Sequence, residues 1–143
     1  MKIINEITAE IQAVYPHKIH TDMPQELFFL INPTDFRNIV HNLVENAAKY
    51  SPEHSDINIS LTQKENQILF QVADHGIGIA AKNREKIFQR FYREDTSHSS
   101  KIKGSGLGLA IVKAEVDKYH GQIKVTDNAP QGTVFTVSLP LEK

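Results

Sequence analysis

Two glycine clusters carry the residue types of an anion-binding site. The first runs over residues 74–78 as Asp-His-Gly-Ile-Gly, and the second runs over residues 104–108 as Gly-Ser-Gly-Leu-Gly. Because glycine has no Cβ, backbone N–H groups in such clusters can come close to a ligand. The free N–H groups at the start of a following helix favour an anion. The order of these segments predicts a domain built around a nucleotide.

A polar stripe on a predicted helix supplies candidate cation ligands. The stripe consists of Asn42, Glu45, Asn46 and Lys49. Its spacing of i, i+3, i+4 and i+7 places all four on one side of a helix, roughly opposite an apolar stripe that begins at Phe36. Interior asparagines lower helix propensity, and amide and carboxylate oxygens on adjacent turns suit Mg²⁺. A solvated outer face is the alternative that this stripe leaves open.

Asp74 directly follows a predicted strand, in a position suited to recognising a base. A carboxylate in a partly desolvated site accepts a hydrogen bond from an exocyclic amine and discriminates against analogues that lack it. Gly76 and Gly78 would leave room for a flat ring. The alternative is a plain β-turn, because Asp-His-Gly is a common turn sequence.

The second glycine cluster lacks the spacing of two common phosphate motifs. The dinucleotide fingerprint needs a glycine where Leu109 stands, and a Walker loop needs Gly-Lys at residues 109–110. We interpret the cluster as a phosphate cradle before a helix start, with a flexible connector as the alternative. Arg93 offers a forked, permanently charged donor for a phosphate, whereas Lys101 and Lys103 are less specific.

Composition predicts one domain without a general affinity for nucleic acid. The chain has 143 residues and a formal charge of −1, the size of a single domain with no global attraction to polyanions. It has no cysteine, which excludes disulfides and thiolate zinc sites. No apolar run approaches the roughly 18 residues that a membrane span needs. We expect a cytoplasmic domain.

Hydrophobic periodicity predicts an α+β two-layer sandwich, a mostly antiparallel mixed sheet covered on one face by helices. The predicted helices cover residues 3–14, 33–50, 80–91 and 106–119. The predicted strands cover residues 17–21, 27–31, 57–61, 68–72, 122–126 and 132–139. Asn32 is the expected N-cap of the second helix, with Pro33 in its first turn. Residues 94–103 are nearly devoid of core-forming side chains and predict a mobile loop.

Five motifs in this order resemble the catalytic and ATP-binding domain of bacterial sensor histidine kinases, part of the superfamily that includes gyrase and chaperone ATPases. They are an N-box at residues 42–51, a first G-box at 74–79, an F-box at 87–93, a second G-box at 104–109 and a closing segment at 132–140. The resemblance covers about residues 18–140. It implies a Bergerat-type ATP-binding fold with ATP and Mg²⁺ as cofactors.

The resemblance also implies roles at the matching positions. Asn46 would coordinate Mg²⁺, and Asp74 would recognise the adenine amino group. Glu45, whose counterpart activates water in related ATPases, would be a base or a metal helper. The implied catalytic set is Glu45, Asn46 and Arg93. The implied nucleotide-binding set is Asn42, Asn46, Lys49, Tyr50, Asp74, Gly76, Gly78, Ile79, Arg93, Lys103, Gly104, Ser105, Gly106, Leu107, Gly108 and Leu109. The family often has arginine in the lid where this chain has Ser-His-Ser-Ser at residues 97–100, which leaves open which cation grips the γ-phosphate.

The phosphoacceptor histidine is not recognisable in this chain. In the family it lies on a separate dimerising helical hairpin, followed by an acidic and then a basic residue, and none of the seven histidines has that sequel. We therefore expect residues 1–16 to be a residual linker helix from the dimerisation and phosphoacceptor domain. Residues 17–143 would be the catalytic domain, unable to autophosphorylate alone.

The resemblance implies a set of partners. The domain would donate the ATP γ-phosphoryl group to a histidine of its parent kinase, which would then act on a response regulator. We expect the isolated domain to be monomeric and its parent to be a homodimer, with membrane anchoring of the parent left open. Two alternatives share the fold: a stand-alone serine kinase or binding module of the anti-sigma-factor type, and a dimerising clamp that hydrolyses ATP.

Overall fold

The computed structural model describes residues 2–24, 31–76, 78, 86–88, 108–128 and 131–140. Its helices are α1 at Lys2–Val14, α2 at Pro33–Tyr50 and α3 at Gly108–Lys118. Its strands are β1 at Lys18–Asp22, β2 at Asp56–Lys64, β3 at Gln67–Ala73, β4 at Gln122–Asp127 and β5 at Thr133–Pro140. A short 3₁₀ turn covers Lys86–Phe88.

The strands form one mixed sheet in the order β1-β2-β3-β5-β4. Strand β1 runs parallel to β2, and each remaining pair of neighbours is antiparallel. The parallel pair requires a long crossover, which contains α2. The predicted mostly antiparallel mixed sheet is confirmed.

The helices bury their apolar sides against one face of this sheet. Alternate residues of β2, β3 and β5 point into the same core, as period-2 strands require. The rings of Phe36 on α2 and Phe70 on β3 meet edge to face, with their centroids 6.1 Å apart. The largest fully buried side chains are Phe36, Phe70, Phe135, Ile4, Ile7, Ile39, Leu43, Ile57, Ile59, Leu61, Ile68 and Val40. The two-layer sandwich is confirmed.

Helix α2 begins at the cap that the sequence predicts. The side-chain oxygen of Asn32 accepts hydrogen bonds from the backbone N–H groups of Thr34 (2.8 Å) and Asp35 (3.4 Å). Pro33 fills the first helical position, where its missing N–H costs nothing. The helix ends at Tyr50, so the polar stripe at residues 42–49 lies in its last two turns.

Helix α1 packs on α2 as well as on the core. Ile4 and Ile7 are fully buried. Arg37 of α2 reaches across to Glu6 (3.3 Å) and Glu10 (3.5 Å) of α1. The role of residues 1–16 as a linker to another domain stays a prediction, but the helix itself contributes to the core.

The opposite face of the sheet is polar. Ser60 Oγ donates to Gln71 Oε1 (3.4 Å), and Gln71 Nε2 donates to Thr136 Oγ1 (3.1 Å), which forms a chain across three strands. A depression of about 550 Å³ lies on this face, and none of the predicted site residues lines it. The candidate site is therefore to be found on the helix side.

Several predicted elements fall largely outside the described residues. Of the predicted strand at 27–31, only Ile31 is described, and it is not in a strand. Of the predicted helix at 80–91, residues 86–88 are described and form the 3₁₀ turn. The predicted loop at 94–103 lies wholly outside. Within the described part of the chain, no helix is both long enough and apolar enough to cross a membrane.

Candidate nucleotide-binding site

Asp74 is buried and held in one orientation at the end of β3. The residue is 3% exposed. Oδ1 accepts hydrogen bonds from the backbone N–H groups of Gly76 (2.9 Å) and Thr133 (3.1 Å). No described residue donates to Oδ2. One carboxylate oxygen thus fixes the side chain, and within the described residues the other has no donor.

Burial raises the pKa of the Asp74 carboxyl, and the two N–H groups on Oδ1 oppose that rise. A buried carboxylate is costly unless its lone pairs are occupied. A neutral donor such as an exocyclic amine at Oδ2 would relieve part of this cost. The electrostatics therefore suit recognition of an amino group.

The loop that follows Asp74 lies against the C-terminal end of α2. A Cβ placed on Gly76 would overlap the backbone carbonyl of Tyr50, so only glycine fits there without movement. Gly78 has a φ of 79°, in the left-handed region that favours glycine. The first glycine cluster thus adjoins the part of α2 that carries Lys49 and Tyr50.

The polar stripe of α2 is half-buried rather than fully solvated. Lys49 Nζ lies 3.4 Å from Glu45 Oε1, and His41 Nε2 lies 3.9 Å from Glu45 Oε2. Asn42 Nδ2 donates to the carbonyl of Asn38 (2.7 Å). The side-chain amide of Asn46 has no hydrogen-bond partner among the described residues.

The start of α3 meets this stripe. A Cβ on Gly108, the first residue of α3, would lie 3.1 Å from Asn42 Oδ1. The first N–H groups of a helix have no partner within the helix and carry a partial positive charge. The structure thus brings Asn42 and Gly108 together beside an anion-favouring helix end.

The other predicted site residues divide into two groups. Leu109 is partly buried and packs against the core. Outside the described residues lie Ile79, Arg93, Lys103, Gly104, Ser105, Gly106 and Leu107. The roles given to all the predicted site residues stay predictions.

The described part of the F-box is anchored in the core. Ile87 is 7% exposed. The ring of Phe88 meets that of Phe135 edge to face, with centroids 6.5 Å apart. Ile87 and Phe88 therefore belong to the packed core of the domain.

Three residues of the β4–β5 turn shape the Asp74 site, and sequence reasoning gave none of them a role. Thr133 N–H binds Asp74 Oδ1, and Asn128 Nδ2 donates to the Asp74 carbonyl (2.7 Å). Gly132 has a φ of 131°, and a Cβ there would overlap the same carbonyl. A glycine followed by threonine at a strand start was the available signal for Gly132 and Thr133.

A layer of helices on a mixed sheet, with a buried aspartate, glycines and a helix start gathered at one end, defines a domain of the Bergerat ATP-binding class. A sequence model of the family described as "Histidine kinase-, DNA gyrase B-, and HSP90-like ATPase" matches residues 31–143. The chain belongs to this family.

Curated relatives and a solved structure narrow the class. Sensor-like histidine kinase SenX3 of Mycobacterium tuberculosis (strain ATCC 25618 / H37Rv) is 41% identical over 123 residues, which are 86% of this chain and 30% of that protein. Sensor histidine kinase WalK of Bacillus subtilis (strain 168) is 37% identical over 121 residues, 83% of this chain and 20% of that protein. The mycobacterial sensor histidine kinase MprB has a structure that matches with a TM-score of 0.87 and 28% identity, covering 97% of this chain and 92% of that one.

The chain therefore corresponds to the ATP-binding catalytic domain of sensor histidine kinases, which confirms the resemblance found in the sequence. It spans about a third or less of the length of these two curated relatives. The activity and partners of a whole parent protein belong to the proposal below.

Proposed function

We propose that this domain binds Mg·ATP and donates the γ-phosphoryl group to a histidine on a separate dimerisation domain of its parent kinase. The observation that carries the proposal is the buried Asp74 carboxylate, which is fixed through Oδ1 and whose Oδ2 receives no donor from the described residues. The sensor histidine kinases among its relatives support histidine as the acceptor, in preference to a serine kinase or an ATP-hydrolysing clamp.

The Asp74 end of the site fits adenine. Oδ2 would accept from the 6-amino group, and the absence of side chains at Gly76 and Gly132 gives the Asp74 loop its close packing. A base that lacks the amine would leave the buried carboxylate unpaired, so binding should discriminate against it.

The α2–α3 end fits phosphates. The start of α3 beside Asn42 offers free N–H groups to an anion, and Lys49 adds a cation that is paired with Glu45 here. We assign the side-chain oxygen of Asn46 to Mg²⁺, a cation that prefers oxygen ligands. Mg²⁺, when bound, supplies charge neutralisation on the phosphate oxygens. Tyr50 follows Lys49 at the end of α2, where its carbonyl lies against Gly76 of the loop that would recognise the base.

Catalysis in this proposal is mainly positioning. The transfer breaks the P–O bond to the γ-phosphorus and forms a P–N bond to the acceptor histidine, with ADP as the leaving group. Such reactions gain most of their rate from alignment and charge stabilisation. Asn42, Lys49 and Arg93 would hold the phosphates, and Glu45 would act as a base or through the metal.

The proposal extends to the parent protein. Residues 1–16 would join this domain to the dimerisation domain, and the packing of α1 on α2 gives that connection a direct contact with the site helix. The parent would be a homodimer that passes the phosphoryl group to a response regulator. This domain would lie on the cytoplasmic side.

The test supplies the histidine-bearing domain of the parent in trans with radiolabelled ATP. We expect acid-labile phosphohistidine that requires Mg²⁺, and we expect Asn46→Ala to abolish it. Asn66→Ala, in the exposed β2–β3 turn, is the matched control and should transfer normally. Phosphoserine on the acceptor, or steady ATP hydrolysis without any acceptor, would overturn the proposal.

A further inference from the structure

We propose that Asn128 is a positioning residue that sets the Asp74 carboxylate for adenine recognition. The inference rests on the proposed function, because it assigns Asp74 to the base. Asn128 itself would not touch the nucleotide. Its effect would pass through the backbone of Asp74.

The contact that carries the inference joins residues far apart in sequence. Asn128 Nδ2 donates to the backbone carbonyl of Asp74 at 2.7 Å, across 54 positions. A carbonyl can only accept, so the amide orientation of Asn128 is fixed by this partner. The Asn128 backbone N–H donates to the carbonyl of Gly132 (3.1 Å), which holds the two ends of the turn together.

Asn128 completes a set of contacts that hold Asp74 on both sides. The Asp74 N–H donates to the carbonyl of Thr133 (2.9 Å), and Thr133 N–H returns a bond to Oδ1. Gly76 N–H holds the same oxygen. Each of these is made by a backbone group of the partner, whereas Asn128 uses its side chain. Among these contacts, the one to Asn128 is the one that a substitution can delete.

Loss of this contact would move the carboxylate. The Asp74 carbonyl is so closely covered by Gly132 that a Cβ there would overlap it. A buried carbonyl without a donor is unfavourable, so the peptide between Asp74 and His75 would rotate toward another partner. Because Asp74 Oδ1 and its own backbone share the same turn, that rotation would shift Oδ2 away from the base. Hydrogen bonds weaken steeply as their geometry departs from the ideal, so this shift would reduce the affinity for the base.

A positioning role predicts a different result from a purely structural one. A purely structural role would weaken the binding of every nucleotide alike and would also lower the melting temperature. A positioning role would selectively weaken the binding of the ligand that offers an amine to Asp74. The informative quantity is therefore the ratio of dissociation constants for ATP and for purine riboside triphosphate, which lacks the 6-amino group.

The test measures both dissociation constants by calorimetry for wild type, Asn128→Ala and Asn128→Asp. The aspartate variant keeps the size of the side chain without its donor, so it serves if the alanine variant fails to fold. Asn66→Ala and Asn66→Asp are the controls matched for volume and charge. We expect ATP to bind about tenfold more weakly to the Asn128 variants, with binding of the analogue unchanged. In an Asp74→Asn background, the Asn128 substitutions should cause no further loss.

Each outcome separates this inference from the function on which it rests. Equal weakening of both nucleotides, or an unchanged ratio, would overturn the positioning role. If wild type itself does not discriminate between the two nucleotides, the assignment of Asp74 to adenine fails first. A third result is that wild type discriminates, Asp74→Asn does not, and the Asn128 variants still do. In that case only the inference about Asn128 is wrong.

Discussion

The backbone carbonyl of Tyr50 occupies the space that a Cβ on Gly76 would need. The loop after Asp74 therefore packs directly against the last residue of α2. The loop that we propose recognises the base is thus in direct contact with the helix that carries the predicted phosphate and Mg²⁺ ligands. A substitution at Gly76 should therefore affect both the adenine end and the phosphate end of the proposed site.

Gly76→Ala should weaken ATP binding and destabilise the fold. The added Cβ meets backbone rather than a flexible side chain, so the loop must shift, at a cost of about 1–3 kcal/mol. Gly121→Ala is the control, because its Cβ would overlap the carbonyl of Ser138, away from the predicted site residues. Both variants should melt at a lower temperature, but only Gly76→Ala should reduce the discrimination between ATP and its analogue without the 6-amino group. If Gly76→Ala discriminates between ATP and the analogue as well as wild type does, the packing of this loop on Tyr50 does not affect recognition of the base.

Gly108→Ala should affect the phosphate end selectively. Its Cβ would lie 3.1 Å from Asn42 Oδ1, so the amide must give way by a small displacement. Alanine suits a helical backbone at least as well as glycine does, so the fold should not be destabilised. Calorimetry should show weaker binding of ATP and unchanged binding of adenosine. The effect should vanish in an Asn42→Ala background; an equal loss with Asn42 absent would contradict the proposed contact.

Ile7→Ala should destabilise the domain by about 2–5 kcal/mol, because it leaves a cavity in the core. Ile7 is fully buried, whereas Val14 on the same helix is 70% exposed. Val14→Ala is therefore the control and should change stability by no more than about 0.5 kcal/mol. Urea unfolding gives both values. An unchanged free energy of unfolding in Ile7→Ala would show that α1 does not contribute to the stability of the core.

The stability difference between wild type and Asp74→Asn should depend on pH. Burial raises the pKa of Asp74 above its ordinary value of 3.8, so between the two values the folded state holds a proton that the unfolded chain releases. The stability of wild type relative to Asp74→Asn should therefore fall as pH rises through that window. Urea unfolding from about pH 4 to pH 7 checks the sign. A difference that stays constant, or that grows in favour of wild type, would contradict the burial of the ionised carboxylate.

Local signals in the sequence were sufficient for most of the described fold. The cap at Asn32 and the apolar stripe of α2 are set by neighbouring residues, so periodicity and capping rules predict them correctly. The β2–β3 hairpin was predicted because both strands alternate and are joined by a short polar turn. The parallel pairing of β1 with β2 carries no such local signal.

Contacts between distant segments could not be predicted. The OH group of Tyr119 donates to Asp35 Oδ2 (2.5 Å), and Lys118 Nζ donates to the same oxygen (2.9 Å). These bonds, first that from Tyr119 and then that from Lys118, lower the pKa of Asp35. They tie the end of α3 to the start of α2 across more than 80 positions. The contact of Asn128 with Asp74 was missed for the same reason, because neither residue's neighbours indicate the other.

Whether Asp74 recognises adenine is decided by the affinity of Asp74→Asn for ATP, measured by calorimetry beside that of wild type. The variant should bind ATP at least about tenfold more weakly, because its amide oxygen would stay with the N–H groups of Gly76 and Thr133. An NH2 donor would then stand where Oδ2 accepts from the amine. Both proteins should bind purine riboside triphosphate with similar affinity. An ATP affinity that is unchanged in Asp74→Asn would show that Asp74 does not recognise adenine.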